Sequence, residues 1–245
     1  MARTWKTIVI HRLMDAEIDR CAEHYLRGRL LDIGCGTKPY ASRLSKYVDE
    51  HIGVDREIPF NPAASVDLVG SAYEIPTPDE SFDSALCTAA LEHLAEPEDA
   101  LKECLRILKP GGVAVYTVPF FWHIHAAPWD YYRFTKYGLR HLFEKAGFEI
   151  LEIKPLSGFW VTSATMFCYY IERFHRGPLR LFPVVPAIGV LVQWIAYGLW
   201  KLDHAEDWTW MYSVVARKIA LAAQQRSTPE NDLPQARRPE LSSKS

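Results

Sequence analysis

A short apolar strand that runs directly into two glycines governs which folds are open to this chain. Residues 30–33 read Leu-Leu-Asp-Ile and lead into Gly34-Cys35-Gly36, while Pro39 stands where the first turn of a following helix tolerates proline. Strand, glycine turn and helix in this order open a doubly wound sheet, whose ligands bind beyond the carboxyl ends of the strands. The glycines let the backbone turn sharply and approach a ligand closely. We therefore expect a ligand at Gly34, Cys35 and Gly36.

An acidic residue ends the next candidate strand, Ile52–Asp55. Asp55 follows Gly36 by 19 residues, a spacing at which a carboxylate can accept hydrogen bonds from both hydroxyls of a ribose. A strand, a glycine turn and an acid in this order predict a nucleotide-type ligand. A dinucleotide fingerprint would require a third glycine where this chain has Pro39. The alternative of an NAD-linked sugar oxidoreductase is therefore disfavoured.

Four motifs in a fixed order resemble the class I S-adenosylmethionine-dependent methyltransferases, in particular their type 11 group. The motifs are residues 31–36, Asp55, Glu92-His93-Leu94 and Lys109-Pro110-Gly111-Gly112, and the likeness covers about residues 30–216. The resemblance implies S-adenosylmethionine as cofactor. It implies that Asp32 and the backbone of 34–36 hold the amino-acid end of the cofactor and that Asp55 holds its ribose. A module that binds the cofactor without catalysis, or docks on a membrane, is the third hypothesis.

The same resemblance implies further cofactor contacts. Ser71 and Ala72 fall where many relatives place an acid beside the adenine amine, and a serine there departs from that pattern. Thr88 and His93 fall near the methionine part of the cofactor. A helix-start histidine that only packs is the alternative for His93.

Histidines and aromatic residues crowd behind the fifth candidate strand, Val113–Val118. His123 and His125 are two residues apart and share one side of an extended chain. A hydroxyl acceptor needs a base, so the hypothesis is that His125 or His123 removes its proton, with Asp130 as the third catalytic candidate. Two histidines and a distant acid are a poor zinc signature, which predicts no metal. The residues expected to shape the acceptor pocket are Tyr131, Tyr132 and Arg133; alternatively this aromatic loop only caps the next helix at Thr135.

The charge balance argues against nucleic acid as a substrate. Lys and Arg number 28 and Asp and Glu number 30, with no basic stripe. The residues after the fourth candidate strand, Phe82–Cys87, read Thr88-Ala89-Ala90-Leu91 instead of the Asn/Asp-Pro-Pro-aromatic stretch that resembling adenine-amine methyltransferases use. No Pro-Cys pair offers the thiolate of cytosine-carbon enzymes. We therefore expect no nucleic acid and a small or lipid-borne hydroxylic acceptor.

A segment poor in charge lies between the sixth and seventh candidate strands, Phe148–Ile153 and Tyr212–Ala216. Residues 155–200 contain only four charged side chains, and the uncharged run 181–200 is 20 residues long, which is enough on count to cross a bilayer. If the two strands are antiparallel neighbours, the chain must leave and return at one edge of the sheet, which a single membrane span cannot do. A buried lid, a homodimer surface or an interfacial hairpin is therefore favoured over a true membrane span, which stays the third alternative. In each case the segment walls the acceptor site.

The run Pro128–Thr135 followed by this apolar segment resembles methyltransferases from bacterial surface-polysaccharide and glycolipid gene clusters. That likeness implies a sugar or a polyisoprenoid-linked saccharide as acceptor, and peripheral contact with a membrane.

These observations predict an α/β fold, a Rossmann-like, mostly parallel sheet of seven strands with helices on both faces and an apolar helical insertion between strands six and seven. The methyltransferase domain is expected over 1–220, with the insertion at about 155–211 and a disordered tail over 221–245. Five cysteines without a CxxC pair predict free thiols in a reducing cytoplasm. The N-terminal residues lack the apolar core of a secretory signal. We expect a cytoplasmic protein, peripheral on the inner face of the membrane.

Overall fold

The computed structural model describes residues 4–56, 66–177, 182–203, 205 and 207–219. The strands are β1 (Arg29–Ile33), β2 (Glu50–Asp55), β3 (Leu68–Val69), β4 (Phe82–Thr88), β5 (Leu108–Pro119), β6 (Phe148–Pro155) and β7 (Met211–Lys218). The helices are α1 (Ile8–Tyr25), α2 (Ala41–Leu44), α3 (Pro97–Ile107), α4 (Lys136–Ala146), α5 (Phe159–Ile171) and α6 (Val184–Trp200), with 3₁₀ turns at Leu91–His93 and Glu172–Phe174.

One sheet contains all seven strands in the order β3-β2-β1-β4-β5-β7-β6. The first five strands run parallel, and β7 is antiparallel to both β5 and β6. The predicted α/β fold and its mostly parallel sheet are confirmed. Strand order reverses between β1 and β4, and the carboxyl ends of these two strands open the crevice in which such sheets bind ligands.

Side chains alternate between the two faces of the sheet and build two cores. On β1, Leu31 and Ile33 pack with α3 and α4, whereas Leu30 packs with α1, α2 and α5. The other central strands alternate in the same way, because successive residues of a strand point to opposite faces. Helices therefore cover both faces, as the sequence predicts.

Two elements differ from their sequence expectation. The glycines 111 and 112 were expected to lie in the turn before a strand starting at Val113, but β5 begins at Leu108 and includes them, with an irregular register opposite Phe82–Ser84. Gly111 has φ +79°, which a glycine adopts without strain. The helix behind the glycine turn is only four residues long, because Lys38 takes a left-handed conformation with φ +49° and delays it to Ala41.

The apolar insertion contains the packed helices α5 and α6, which we call the insertion hairpin (residues 159–177 and 182–200). Its entry and exit meet at Thr209, whose buried hydroxyl accepts the N–H groups of Leu156 and Ser157, both at 3.1 Å. The chain therefore leaves and rejoins the sheet at one edge, as the antiparallel β6–β7 pair requires.

Gly189 and Gln193, which interrupt the apolar run, lie on the packed face of α6 together with Val185 and Ala196. A Cβ on Gly189 would lie 2.2 Å from the Trp5 ring. The Gln193 side chain is buried, donates to Trp5 O at 2.7 Å and accepts from Val9 N at 3.3 Å. Gly189 and Gln193 therefore join the insertion hairpin to the N-terminal segment and α1.

No helix within the described residues is long and apolar enough to span a bilayer. All five cysteines are buried free thiols. The predicted tail over 221–245 lies outside the described residues.

Candidate active site

The glycine turn between β1 and α2 is held by backbone bonds and leaves its outer side open. Gly34 N and Cys35 N donate to Val54 O at 2.9 and 3.2 Å. Gly34 has φ +70°, and a Cβ there would lie 2.8 Å from Ala90 Cβ. Gly36 has φ +52° with no atom within 4 Å of a Cβ position. The turn thus presents bare backbone to the crevice, which fits the close approach that a nucleotide-type cofactor needs.

The Asp55 carboxylate stands beside this turn at the end of β2. Its Oδ2 accepts from Gly36 N at 2.9 Å and its Oδ1 accepts from Arg56 N at 2.8 Å. Each oxygen keeps a second lone pair. The side chain is therefore fixed in place with capacity left for two hydroxyl donors, as the ribose prediction requires.

Asp32 and Cys35 point into the protein beneath the turn. Asp32 is 2% exposed, its Oδ2 lies 3.1 Å from His51 Nε2, and burial raises its pKa. Burial also raises the pKa of the Cys35 thiol to about 12. A Cβ on Gly53 would lie 2.5 Å from Cys35 Sγ. These two side chains fix the turn against β2, and its backbone is the part that faces the crevice.

The remaining predicted cofactor positions lie along the same edge of the sheet. Ser71 is exposed and its hydroxyl accepts from Tyr73 N at 3.2 Å, and Ala72 is half-buried. Thr88 ends β4, where Ala89 takes φ +49° and donates its N–H to Thr117 O at 2.9 Å. The structure therefore brings these residues to the carboxyl ends of β3 and β4.

The aromatic loop, residues 120–135, is held by one ion pair. Arg133 Nη1 donates to Asp130 Oδ1 at 2.7 Å and Arg133 Nη2 donates to Asp130 Oδ2 at 2.8 Å. Asp130 also accepts from His125 N at 2.8 Å, and hydrogen bonds from Arg133 hold its pKa well below the usual value. The other donors of Arg133 go to the carbonyls of Trp122, His123 and Tyr132. All five guanidinium N–H groups thus have an acceptor within the loop, so this pair fixes the backbone of the loop.

Three side chains lie close together where the 3₁₀ turn after β4 meets the aromatic loop. Glu92 and His93, on the 3₁₀ turn after β4, come together with His125, and their donor atoms all lie within 4.8 Å of one another. The rings of His93 and His125 are 4.8 Å apart in an edge-on arrangement. Burial raises the pKa of Glu92 to about 7 and lowers the pKa of His125. Sequence reasoning missed Glu92, although it quoted the motif that contains it.

His123 faces the insertion hairpin. Its ring centroid lies 4.5 Å from that of Tyr169 on α5 and 5.0 Å from that of Trp122. Burial lowers the pKa of His123, and the positive charge of Arg133 lowers it further. The insertion hairpin therefore borders the aromatic loop, as the topology argument predicts. Both histidines of this loop favour the neutral form, which can accept a proton.

The loop also reaches across to β2. The Arg56 guanidinium lies 4.8 Å from the centre of the Trp129 ring, and Trp129 O lies 2.8 Å from His93 Nδ1. Tyr131 is 47% exposed. The Tyr132 hydroxyl donates to Ala95 O at 2.8 Å. Tyr132 and Lys136 have the Tyr-x-x-x-Lys spacing of one class of NAD-linked dehydrogenases, but that hydroxyl is committed to the backbone.

Comparison with known proteins places these features in a family context. Residues 31–116 match the family described as "Methyltransferase domain". The uncharacterized methyltransferase YcgJ of Bacillus subtilis is 38% identical over 102 residues, which are 37% of this chain and 39% of that protein. The demethylmenaquinone methyltransferase of Staphylococcus carnosus is 28% identical over 172 residues, which are 53% of this chain and 71% of that protein.

A solved structure shares the fold. The phosphoethanolamine N-methyltransferase 2 of Haemonchus contortus, in complex with phosphomonomethylethanolamine and S-adenosylhomocysteine, has a TM-score of 0.56 and 19% identity, over 86% of this chain and 53% of that chain. The open glycine turn and the spare acceptors of Asp55 fit a nucleotide-type ligand. Residues 31–116 therefore match a methyltransferase domain within a Rossmann-like α/β fold, and the chain shares that fold with the solved methyltransferase.

Proposed function

We propose that this protein transfers a methyl group to a hydroxyl group of a small or lipid-linked saccharide acceptor. The observation that carries the proposal is the pair of loop histidines: the ring of His125 packs against His93 after β4, and the ring of His123 packs against Tyr169 on α5. A Cβ on Gly34 would lie 2.8 Å from Ala90 Cβ, so the glycine turn adjoins the residue that directly precedes the Leu91–His93 turn.

The residues of the chain divide the work. When bound, S-adenosylmethionine supplies a methyl group on a cationic sulfur. The glycine turn and Asp55 hold and orient the cofactor, and the aromatic loop excludes water, so the acceptor and the methyl group are aligned. A neutral imidazole of His123 or His125 takes the proton from the acceptor hydroxyl.

A lipid-linked acceptor is supported by the surface of the insertion hairpin. Phe167 and Ile195 are 44% and 54% exposed and line an apolar groove of about 310 Å³ between α5 and α6. Trp160 and Trp194 are also exposed on these helices, and tryptophan favours the headgroup level of a bilayer. The hairpin would thus rest on the membrane surface beside the acceptor site.

The test uses S-adenosylmethionine with a labelled methyl group and glycolipid extracts. Wild type is expected to transfer the label to a saccharide that extracts into the organic phase. His123→Ala and His125→Ala are compared with it, and the variant that lacks the base should lose about 100-fold or more in rate. Turnover within a few-fold of wild type in both variants would refute the assignment of the base. Absence of labelled product from any extract would refute the acceptor class.

A prenylated aromatic acceptor is the second candidate. The relative from Staphylococcus carnosus is named for demethylmenaquinone, a lipid with an isoprenoid tail, and the apolar groove on the hairpin suits such a tail. Label on a ring carbon instead of an oxygen would favour this candidate.

A further inference from the structure

We propose that Glu92, His93 and His125 bind a divalent transition-metal ion at the acceptor side of the site. Their donor atoms lie within 4.8 Å of one another, and two ligands about 2.1 Å from one ion stand about 3–3.4 Å apart. Side-chain movements of about 1 Å would therefore bring the three donor atoms to ligand spacing. The three residues come from the turn after β4 and from the loop after β5, which the ion pair of Asp130 and Arg133 holds in place.

The His93 imidazole is oriented as metal ligands usually are. His93 Nδ1 lies 2.8 Å from Trp129 O, which only accepts, so Nδ1 carries the hydrogen and Nε2 keeps a lone pair. His125 Nδ1 lies 3.4 Å from Arg133 Nη2, whose hydrogens both have shorter acceptors, and 3.5 Å from Asp130 Oδ2. A histidine whose other nitrogen donates to a carbonyl or a carboxylate is the common support for a ligating imidazole.

The buried carboxyl group of Glu92 has an oxygen that the described side chains around it leave without a partner. The side chain is 1% exposed, and its Oε2 has no hydrogen-bond partner among the described residues. Its Oε1 lies 3.8 Å from His93 Nε2. Leaving a buried carboxylate oxygen unpaired is costly. A cation between Glu92 and the two imidazoles removes that cost.

The donor set selects the kind of ion. Two imidazoles and one carboxylate suit zinc, iron, manganese or cobalt, whereas magnesium and calcium prefer oxygen ligands. Three protein ligands leave positions open for a further oxygen ligand. An ion here would lower the pKa of an acceptor hydroxyl that reaches it, and His123, which lies outside the cluster, would take the proton. This role rests on the proposed function, whereas the binding of the ion does not.

Cobalt binding tests the site without cofactor or acceptor. The full chain is stripped with a chelator, titrated with Co²⁺ and analysed for stoichiometry and visible absorption. Wild type is expected to bind one equivalent. Glu92→Gln and His125→Asn are expected to weaken binding by about 100-fold, which is about 2.7 kcal/mol, while His123→Asn on the same loop binds as wild type. Wild type that binds less than a tenth of an equivalent would overturn the proposal, as would Glu92→Gln and His125→Asn binding like wild type.

A second measurement needs no variant and so does not depend on variant folding. Electron paramagnetic resonance of the Cu²⁺-loaded wild type is expected to show coupling to two imidazole nitrogens, and coupling to none would overturn the proposal. Full Co²⁺ binding without methyl transfer would refute the proposed acceptor and leave the ion site standing. Methyl transfer that survives complete chelation would refute the role of the ion.

Discussion

Asp55 is the residue at which sequence spacing and geometry agree most closely. Its carboxylate is held by Gly36 N and Arg56 N at the end of β2 and keeps one lone pair on each oxygen. The position follows from the sequence because a residue that ends a parallel strand must lie at the ligand edge of the sheet.

Substitution of Asp55 is therefore expected to weaken cofactor binding. Asp55→Ala removes two charge-assisted acceptors and should lower the affinity for S-adenosylhomocysteine by about 10–100-fold, or 1.4–2.7 kcal/mol. Isothermal titration calorimetry measures the change, with Tyr137→Ser as a control because Tyr137 is 80% exposed on α4 and is not among the predicted cofactor positions. Affinity within twofold of wild type in Asp55→Ala would contradict the ribose assignment.

The contacts of Glu92 and Arg133 could not be predicted from the sequence. The loop after β5 folds back over the turn after β4, and only this tertiary contact brings His125 to Glu92 and His93. Arg133 was expected to shape the acceptor pocket, and all its donors go to acceptors of the aromatic loop. No spacing in the sequence encodes that fold-back.

At the scale of elements, α6 shows how a helix can be apolar throughout and still have a packed face. Gly189 meets Trp5, whereas a Cβ on Gly198, further along the same helix, would have no atom within 4 Å. The sequence marks both glycines as interruptions of a span, and only the structure distinguishes them.

The two glycines are expected to respond to alanine with opposite signs. Gly198→Ala should raise the free energy of unfolding by up to about 1 kcal/mol through helix propensity. Gly189→Ala should lower it, because its Cβ would lie 2.2 Å from the Trp5 ring. Denaturant unfolding measures both changes. Equal stabilisation by the two substitutions would show that α6 does not pack on the N-terminal segment.

A buried carboxylate ties α1 to β6. Glu17 is 4% exposed, and its oxygens accept from Arg20 Nη2 at 2.6 Å and from Lys154 Nζ at 2.7 Å. Burial alone would raise the pKa of Glu17, but the hydrogen bonds from Arg20 and Lys154 bring it below 4.5.

The stability that Glu17 contributes should depend on pH in a defined direction. Because the pKa in the folded state is depressed, the contribution is complete above pH 4.5 and disappears as the pH falls through the lowered value. Glu17→Gln should cost about 2 kcal/mol at pH 7 and progressively less on acidification below pH 4.5. Urea unfolding across pH 3–7 measures this, and a cost that stays constant over the range would contradict the ion-pair assignment.

For the whole molecule, the strand order, the two-sided helical cover and the location of the insertion follow from the alternation of elements and from the antiparallel β6–β7 pair. The contact between the insertion hairpin and the aromatic loop follows from the same topology. The short α2 and the early start of β5 do not, because local turn conformations at Lys38 and Gly111 decide them.

The proposed membrane contact would depend on the assembled surface. Wild type is expected to pellet with anionic vesicles, and the double variant Phe167→Ser and Ile195→Ser, in the groove of the insertion hairpin, should reduce binding about tenfold. Tyr137→Ser is the matched control, because Tyr137 is 80% exposed and lies on α4, which covers the other face of the sheet. Wild type that stays in the supernatant would refute the interfacial hairpin.

Methyl transfer to a hydroxyl of a lipid-linked saccharide is the central claim, and locating the transferred group tests it most directly. The wild-type protein is incubated with trideuteromethyl-labelled S-adenosylmethionine and a glycolipid extract, and the labelled product is analysed by mass spectrometry and NMR. The predicted result is a trideuteromethyl ether on a sugar oxygen. A label found only on carbon or nitrogen, or no labelled product from a protein that binds S-adenosylhomocysteine, would contradict the claim.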